Sequence, residues 1–583
     1  MNSKYNWATE DLYESVDKWN QEYKQVEKLL DFSSYKGKLG DADIFYNLEK
    51  QIEEVSRRVE RLSVYAMMKH DENTKDSLFD SLNSKVSDLC SRFSANLSFV
   101  QPELTALDEE VLKSFIETPK LKDYDYYLKG VLKGKAHVLS SVEENLLAMS
   151  SQAFGSFKDI FTKIDNADLP LGKIKVGDET INLTHGTYSV LLQSEDPEVR
   201  KKAFKKYYKA FISLINTISA TYYGNVKKNV FIAKARKYSS VLQMALSNED
   251  VPEIVYQNLL STVKDALPTL HRYMEEKKKA LKLEQMHMYD IYVPIVEGAD
   301  LKLDYEQAYD LVVEGLGVLG KEYQDLLRKA KDERWLDVEE KDGKRSGAYS
   351  VGIYDCHPFV LLNYQKTTHD VFTIAHEMGH SLHSYFSNNA QPYAKADYTI
   401  FVAEVASTVN EVLLVKYLLK TAKDVKLKKY LLSYLLEMIR TTLFRQTQFA
   451  EFESFSHKAV EKGIPLTKDN LSKEYYKLNK KYYGKAIKHD SEIKYEWSRI
   501  PHFYRAFYVY KYATGIISAL AIADRILTEG KPAVDDYFKF LSSGGSDSPV
   551  ELLKIAGVDL TDKKPFISAF KSFENALCEF VKL

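Results

Sequence analysis

Two histidines and a glutamate stand at a spacing that can bind a metal ion and use it. They are His376, Glu377 and His380, in the sequence His-Glu-Met-Gly-His within the stretch 367–386. One helical turn takes about 3.6 residues, so both imidazoles point the same way if this stretch is helical. Two such imidazoles can bind a tetrahedral zinc ion, and the glutamate beside the first can take a proton from a nearby water. The pattern predicts a zinc hydrolase; the alternative is a helix that carries these residues on its surface by chance.

The stretch 367–386 also has the apolar pattern of a helix. Apolar side chains recur at threes and fours, at Val371, Ile374, Ala375, Met378, Leu382 and Phe386. Thr367, followed three residues later by Asp370, is a helix start signal. We therefore expect both histidines on one helix. His383 is interpreted as a helix-face residue near the site, not as a metal ligand.

A third ligand is needed, because a catalytic zinc usually takes three protein ligands and leaves the fourth position to water. The apolar stretch 401–411 carries Glu404 and Glu411, seven residues apart and hence on one helix face. A carboxylate on an apolar face is costly unless it is paired or bound to metal. Glu404 is therefore the expected third ligand, with a surface position as the alternative. For Glu411, a supporting role behind a ligand and a surface position both stay open.

Helical patterns dominate the rest of the chain. Helices are predicted over 401–421, 425–461 and 501–529, among others, and a hairpin over 173–183. Strand-like stretches occur at 288–296 and, just before the metal helix, at 347–354 and 357–364. The predicted fold class is mostly α, with a small β-sheet beside the zinc helix. The best division gives an N-terminal helical lobe, residues 1–190, and a catalytic domain, residues 191–583.

Composition excludes several classes of protein. The 583 residues carry a net charge of −2, which gives no reason to expect nucleic acid as a partner, and the basic, tyrosine-rich run 473–489 is interpreted as a solvated helix. The three cysteines have no paired spacing, which suits a reducing compartment. We see neither a secretory signal nor a membrane span, so the expectation is a soluble, cytoplasmic protein.

Four motifs together resemble one known family. They are HPFVLLNY (357–364), HEMGHSLHS (376–384), FVAEVASTVNE (401–411) and IPHFYRAFYVYKYATG (500–515). In these the chain resembles the oligoendopeptidase F branch of the thimet oligopeptidase family of zinc metallopeptidases. The resemblance implies a helical body divided by a deep substrate channel, with one zinc per chain on its floor. It also implies Glu404 as the third ligand, because the family's ligand stands in a Glu-x-x-Ser pattern, which Glu404 and Ser407 match.

The same resemblance assigns residues to the substrate carbonyl. It favours His502 and Tyr510 there, with Tyr504 next. The spacing of Tyr504, Tyr508 and Tyr512 predicts that these three share one helix face, from which Tyr510 points away. Packing of these aromatic rings in the core is the alternative for each tyrosine.

The predicted function is hydrolysis of internal peptide bonds in short oligopeptides. Glu377 acts as general base, and an edge of the strand 347–354 can pair with an extended peptide. One alternative is an enzyme that removes dipeptides from peptide C-termini. Another, of a different class, is a peptide-binding protein that keeps zinc for structure only. The sequence predicts neither the oligomeric state nor the side-chain preference.

Overall fold

The computed structural model describes residues 4–296 and 301–583, and helices make up most of that part of the chain. The α-helices are α1 (Val16–Glu27), α2 (Ala42–Glu72), α3 (Ser77–Asn96), α4 (Val100–Ala106), α5 (Glu109–Glu117), α6 (Asp125–Gly134), α7 (Ser141–Lys163), α8 (His185–Leu191), α9 (Pro197–Ser213), α10 (Ile215–Ala235), α11 (Val241–Ser247), α12 (Glu253–Ala280), α13 (Tyr305–Gly315), α14 (Lys321–Asp332), α15 (Thr368–Ala390), α16 (Tyr393–Ala396), α17 (Ile400–Thr421), α18 (Val425–Ile439), α19 (Arg445–Glu461), α20 (Lys468–Tyr483), α21 (Tyr510–Glu529), α22 (Lys531–Leu541), α23 (Pro549–Ile555) and α24 (Lys564–Lys582).

Shorter elements join these helices. The strands are β1 (Lys173–Val176), β2 (Glu179–Asn182), β3 (Met286–His287), β4 (Leu336–Asp337), β5 (Tyr349–Ile353), β6 (Cys356–Leu361) and β7 (Ile487–Lys488). The 3₁₀ segments are Thr9–Asp11, Ser33–Tyr35, Pro119–Tyr124, Lys135–His137, Met288–Asp290, Gly317–Leu319, Ser491–Arg499 and Pro501–Tyr504. The π-helical turns are Ile164–Asp168 and Arg440–Phe444.

The chain folds into two compact units. Unit 1 comprises Met1–Val138, Asp300–Lys420 and Ala519–Val558, and unit 2 comprises Leu139–Ala299, Thr421–Ser518 and Asp559–Leu583. The division at about residue 190 stays a prediction, as does the channel.

Unit 1 is built around the long helix α2 and a three-stranded sheet. In the sheet β6 lies between the other two strands, parallel to β4 and antiparallel to β5, with a bulge between Val351 and Ile353. Phe359 and Leu361 of β6 pack into the same apolar core as Phe45 of α2. The helix α15 lies against β5 and β6. The predicted small sheet beside the metal helix is confirmed.

Unit 2 is mostly helical and has an aromatic core. The ring of Tyr222 in α10 lies 6.0–6.3 Å, between ring centroids, from Phe452, Trp497 and Phe503. Two small sheets complete it: the predicted hairpin β1–β2 and the parallel pair β3–β7. The prediction of a mostly α fold class is confirmed, and within residues 4–296 and 301–583 no helix is long and apolar enough to cross a membrane.

Two local predictions are wrong. The strand expected at 288–296 is absent; instead the chain makes a 3₁₀ turn at Met288–Asp290. The cause is a buried ion pair, because Arg200 donates to Asp290 at 2.9 Å and 2.7 Å, while the other carboxylate oxygen of Asp290 accepts the N–H of His287.

The helix expected over 501–529 begins only at Tyr510. Pro501–Tyr504 is a 3₁₀ turn, and Phe507 lies in the left-handed region with φ 53°. The backbone N–H of Phe507 donates to the buried Glu453 carboxylate at 3.0 Å, a contact between residues far apart in sequence. Tyr504, Tyr508 and Tyr512 therefore do not share a helix face.

Candidate metal site

Helices α15 and α17 approach each other closely at one glycine. A Cβ atom at Gly379 would lie 2.6 Å from Cα of Ser407 and 2.7 Å from the carbonyl oxygen of Ala406. Only glycine allows this approach without displacing backbone. Helix α15 begins as the sequence predicts, with the Thr367 side chain accepting the N–H of Asp370 in a reciprocal capping box.

This crossing brings three potential ligands together. Glu404 Oε2 lies 3.5 Å from Nε2 of His376 and 3.6 Å from Nε2 of His380. Zinc bonds of about 2.0–2.1 Å at the tetrahedral angle place two donor atoms about 3.4 Å apart, so these separations fit one shared ion. Within residues 4–296 and 301–583 this is the one group of three or more histidine, cysteine or acidic residues whose ligand atoms lie close enough, all within 4.8 Å of one another.

Glu411 contacts the first histidine from behind. Its Oε1 lies 2.7 Å from Nδ1 of His376 and accepts a hydrogen bond from it, and the other ring nitrogen, Nε2, faces Glu404. The imidazole of His380 makes a hydrogen bond to the backbone of Ala403. For Glu411, the contact with His376 favours the supporting role over the surface position.

The two imidazoles differ in basicity. Burial lowers the pKa of His376, but Glu411, Glu377 and Glu404 outweigh burial and raise it to about 9. Burial, and then the charge of His376, lower the pKa of His380 to about 3. Three carboxylates around His376 therefore favour a cation at this place, which a divalent metal would supply.

Glu377 is buried beside the three potential ligands. Its residue is 7% exposed, and burial raises its pKa to about 7, opposed by His376 and reinforced by Glu404 and Glu411. The backbone N–H of Ser350 in β5 donates to this carboxylate. A carboxyl group whose pKa lies near neutrality can both accept and return a proton.

A buried polar chain holds the two helices in register, and it was not among the predicted features. Asn410 is fully buried; its amide donates to the carbonyl of Ala375 at 3.0 Å, and its oxygen accepts the hydroxyl of Tyr323 at 3.0 Å. The Ser407 hydroxyl, in turn, lies 3.3 Å from Glu404 Oε2. An asparagine in the largely apolar sequence of α17 was the available signal, because such a side chain needs a partner when buried.

His383 is a core residue. It is 1% exposed, stacks on Tyr398 with ring centroids 3.7 Å apart, and contacts the Phe540 ring at 5.3 Å. It does not belong to the group of three ligands.

The aromatic residues of the segment 500–515 lie in unit 2, in two settings. His502 is stacked on Tyr508, with ring centroids 5.9 Å apart, and Tyr512 meets both rings edge-on at 6.0 Å and 5.5 Å. His502 is exposed, and Tyr508 and Tyr512 are half-buried. These three form an accessible aromatic group.

Tyr504 and Tyr510 point into the core of unit 2. Tyr504 stacks on Phe161 at 4.5 Å, and its buried hydroxyl has no hydrogen-bond partner among the described residues. Tyr510 is 1% exposed; burial, and then the neighbouring Glu249 carboxylate, raise the pKa of its hydroxyl well above the usual value.

Comparison with known proteins gives consistent similarities. Residues 190–572 match the model of peptidase family M3, and residues 103–170 match that of oligopeptidase F. The chain is 45% identical to oligopeptidase PepF of Bacillus subtilis over 99% of its length and 87% of that protein. It is 40% identical to an oligoendopeptidase F homolog of Lactococcus lactis over 100% of its length and 98% of that protein. The solved oligoendopeptidase-F of Enterococcus faecium has a TM-score of 0.75 at 37% identity, covering 97% of this chain and 99% of that one.

Proposed function

The chain belongs to peptidase family M3 as a metallo-oligopeptidase that hydrolyses internal peptide bonds, and we propose that His376, His380 and Glu404 bind the single Zn²⁺ it uses. The observation that carries this proposal is the convergence of their ligand atoms within 4.8 Å. Two nitrogens and one carboxylate oxygen are a typical donor set for catalytic zinc. A bound zinc ion supplies Lewis acidity, which lowers the pKa of a water and polarises the peptide carbonyl.

Glu377 is the proposed general base. It takes the proton of the attacking water and passes it to the leaving amine. Its buried setting supports this role, since a pKa raised to about 7 lets the group change protonation state near neutral pH. The Ser350 N–H that donates to the carboxylate keeps it oriented.

A second donor is proposed for the substrate carbonyl, from the segment 500–515. His502 is proposed to contact the substrate carbonyl, as the resemblance implies. The placement of the tyrosines favours Tyr508 and Tyr512 as its partners, because both lie against His502 and are partly accessible. Tyr510 and Tyr504 stay predictions, and each would have to leave the core of unit 2 to reach a substrate.

Substrate peptides are proposed to bind along β5. Among the described residues this strand pairs only with β6, so its other edge can accept an extended peptide. Its Ser350 contacts Glu377, which would bring the scissile bond to the base. A cytoplasmic location is proposed because all three cysteines are free.

The test is digestion of a random peptide library by the zinc-loaded enzyme, with product sequencing, repeated after chelation and after adding zinc back. Internal fragments whose formation stops on chelation and returns with zinc support the proposal. Successive loss of C-terminal dipeptides would instead identify a peptidyl-dipeptidase. No cleavage at all, with zinc bound stoichiometrically, would identify a peptide-binding protein with structural zinc.

A further inference from the structure

A cavity of about 350 Å³ in unit 2 has two arginines in its wall. Arg445 and Arg499 line it together with His502, Gln446, Tyr188 and Tyr292, and none of its lining residues is acidic. The two arginine side chains are 17% and 18% exposed, so each guanidinium is largely removed from bulk water but reachable from the cavity. This combination suits a small anionic group.

The two guanidinium groups share one carboxylate. Arg445 and Arg499 donate to the same oxygen of Glu496, at 2.6 Å and 3.0 Å, and the other oxygen accepts the hydroxyl of Tyr475 at 2.6 Å. Each guanidinium has five N–H donors, and Nε of Arg499 is buried without a hydrogen-bond partner among the described residues. Burial raises the pKa of Asp165 against the opposing charges of His185 and Arg499, and Asp165 is not among the residues that line the cavity. Arg499 also makes a hydrogen bond to Tyr207, and these bonds together use a minority of the N–H donors that the two guanidinium groups carry.

The backbone on both sides of the cavity is specialised. The π-helical turn Arg440–Phe444 comes immediately before Arg445, and such turns occur frequently at functional sites. Arg499 ends the 3₁₀ segment Ser491–Arg499 and stands three residues before His502. Burial, and then the charges of Arg445 and Arg505, lower the pKa of His502, which favours its neutral form.

We propose that the cavity at Arg445 and Arg499 binds a carboxylate of the peptide substrate. Planar guanidinium groups match the two oxygens of a carboxylate, and the amide of Gln446 and the two tyrosines add polar contacts. The proposal rests on the proposed function, because His502 is the residue that links the cavity to the substrate. The carboxylate can be the C-terminus of the peptide or an aspartate or glutamate side chain.

The experiment compares matched quenched peptides on the zinc-loaded full chain. The first pair is one peptide with a free C-terminal carboxylate and the same peptide with a C-terminal amide. The second series consists of amidated peptides that carry aspartate or asparagine at each position in turn. We expect kcat/KM to be about 10-fold higher for the acid member of one pair, chiefly through KM, as for a charge-assisted hydrogen bond. A preference in the first pair identifies the C-terminus, and one in the second series identifies a side chain. Equal rates in every pair would overturn the proposal.

Substitutions of the two arginines test whether the preference for a carboxylate arises in this cavity. Arg445→Lys and Arg499→Lys keep a charge beside Glu496 but lose the fork geometry, so the acid-to-amide ratio should fall to within about 2-fold of unity. Arg236→Lys is the matched control, because Arg236 donates to Glu144 at 2.8 Å outside this cavity; its ratio should equal that of the wild type. A ratio that persists in both cavity variants would refute the assignment.

Binding without catalysis separates this proposal from the proposed function. N-acetyl-alanine and N-acetyl-alaninamide are titrated calorimetrically, with melting temperatures recorded to confirm that each variant is folded. Binding of the acid alone, lost in Arg499→Lys, supports the cavity even if no peptide is cut. If the wild type binds both probes equally, or binds neither, the cavity proposal is contradicted and the proposed function is not affected.

Discussion

Nδ1 of His376 lies 2.7 Å from Oε1 of Glu411, seven residues beyond Glu404 on α17. Helix α17 thus carries both the potential ligand Glu404 and the carboxylate of Glu411, which orients the potential ligand His376 on α15.

Glu411→Gln replaces the acceptor with a weaker one, and we expect zinc affinity to fall about 10- to 100-fold. Competition with a chromophoric chelator measures it. Glu322→Gln, an exposed change in the first turn of α14, should leave the affinity unchanged. Unaltered zinc affinity in Glu411→Gln would contradict the orienting role.

Glu377→Gln separates catalysis from metal binding. The amide cannot accept the proton of the attacking water, so we expect kcat to fall by roughly 10² or more while zinc content stays stoichiometric. Metal analysis of the same preparation as the rate assay is the check. If zinc is retained and peptides are still cut at the wild-type rate, another group is the base.

Gly379→Ala tests the close approach of α15 and α17. The added methyl group would lie 2.6 Å from Cα of Ser407, so the helices must separate. We expect a loss of stability of about 1–3 kcal/mol, as for other overpacked cores, together with weaker zinc binding because Glu404 moves with α17. Gly155→Ala in α7 is the control, since a Cβ there meets nothing within 4 Å and alanine favours a helix. Equal melting curves and zinc affinities for the two variants would show that the contact is unimportant.

Removing single hydroxyls distinguishes the tyrosines. Loss of a donor to the developing oxyanion costs roughly 10²- to 10³-fold in kcat. Because Tyr508 and Tyr512 lie against His502, we expect such a loss in Tyr508→Phe or Tyr512→Phe. Tyr504→Phe and Tyr510→Phe, which alter core positions, should lose less than about 10-fold. The reverse order, measured by steady-state kinetics on one peptide, would restore Tyr510 and Tyr504 as the carbonyl donors.

Glu453 gives a pH dependence of stability. Burial raises its pKa to about 8 in the folded chain, against an ordinary value of 4.5. An acid with a raised pKa contributes stability at low pH that is lost as pH rises from about 4.5 to about 8. One pKa unit is about 1.4 kcal/mol, so Glu453→Gln should gain at least that much relative to the wild type between pH 5 and pH 9. Urea unfolding at both pH values measures the gain, and parallel pH profiles of the two proteins would contradict it.

Local signals predicted the metal helix well. Two local features were enough: the capping box of Thr367 and Asp370, and the spacing of His376 and His380. Each depends only on residues within a few positions of one another. The prediction of Glu404 as the third ligand needed one further argument, the energetic cost of a carboxylate on an apolar helix face. The placement of the two histidines follows from helix geometry, and the four motifs of the resemblance fit the family that the comparisons identify.

Distant partners explain the failures. The chain at 288–296 is bent because Asp290 pairs with Arg200, and the tyrosine segment is broken because Phe507 binds Glu453. Neither partner is close in sequence, so apolar periodicity could not reveal it. The close contact at Gly379 and the support from Asn410 likewise depend on how two helices cross, which no single stretch encodes.

Unit 1 is assembled from three separate stretches of chain, ending at Val558. Its C-terminal stretch contacts the metal helix directly: Phe540 lies against His383, and the carbonyl of Ser542 accepts the amide of Gln391 at 2.8 Å. During synthesis on the ribosome, the nascent chain therefore exposes both histidines long before their surroundings are complete. We expect metal loading to be a late, post-translational event, and no continuous fragment that ends before Val558 to hold zinc as the whole protein does.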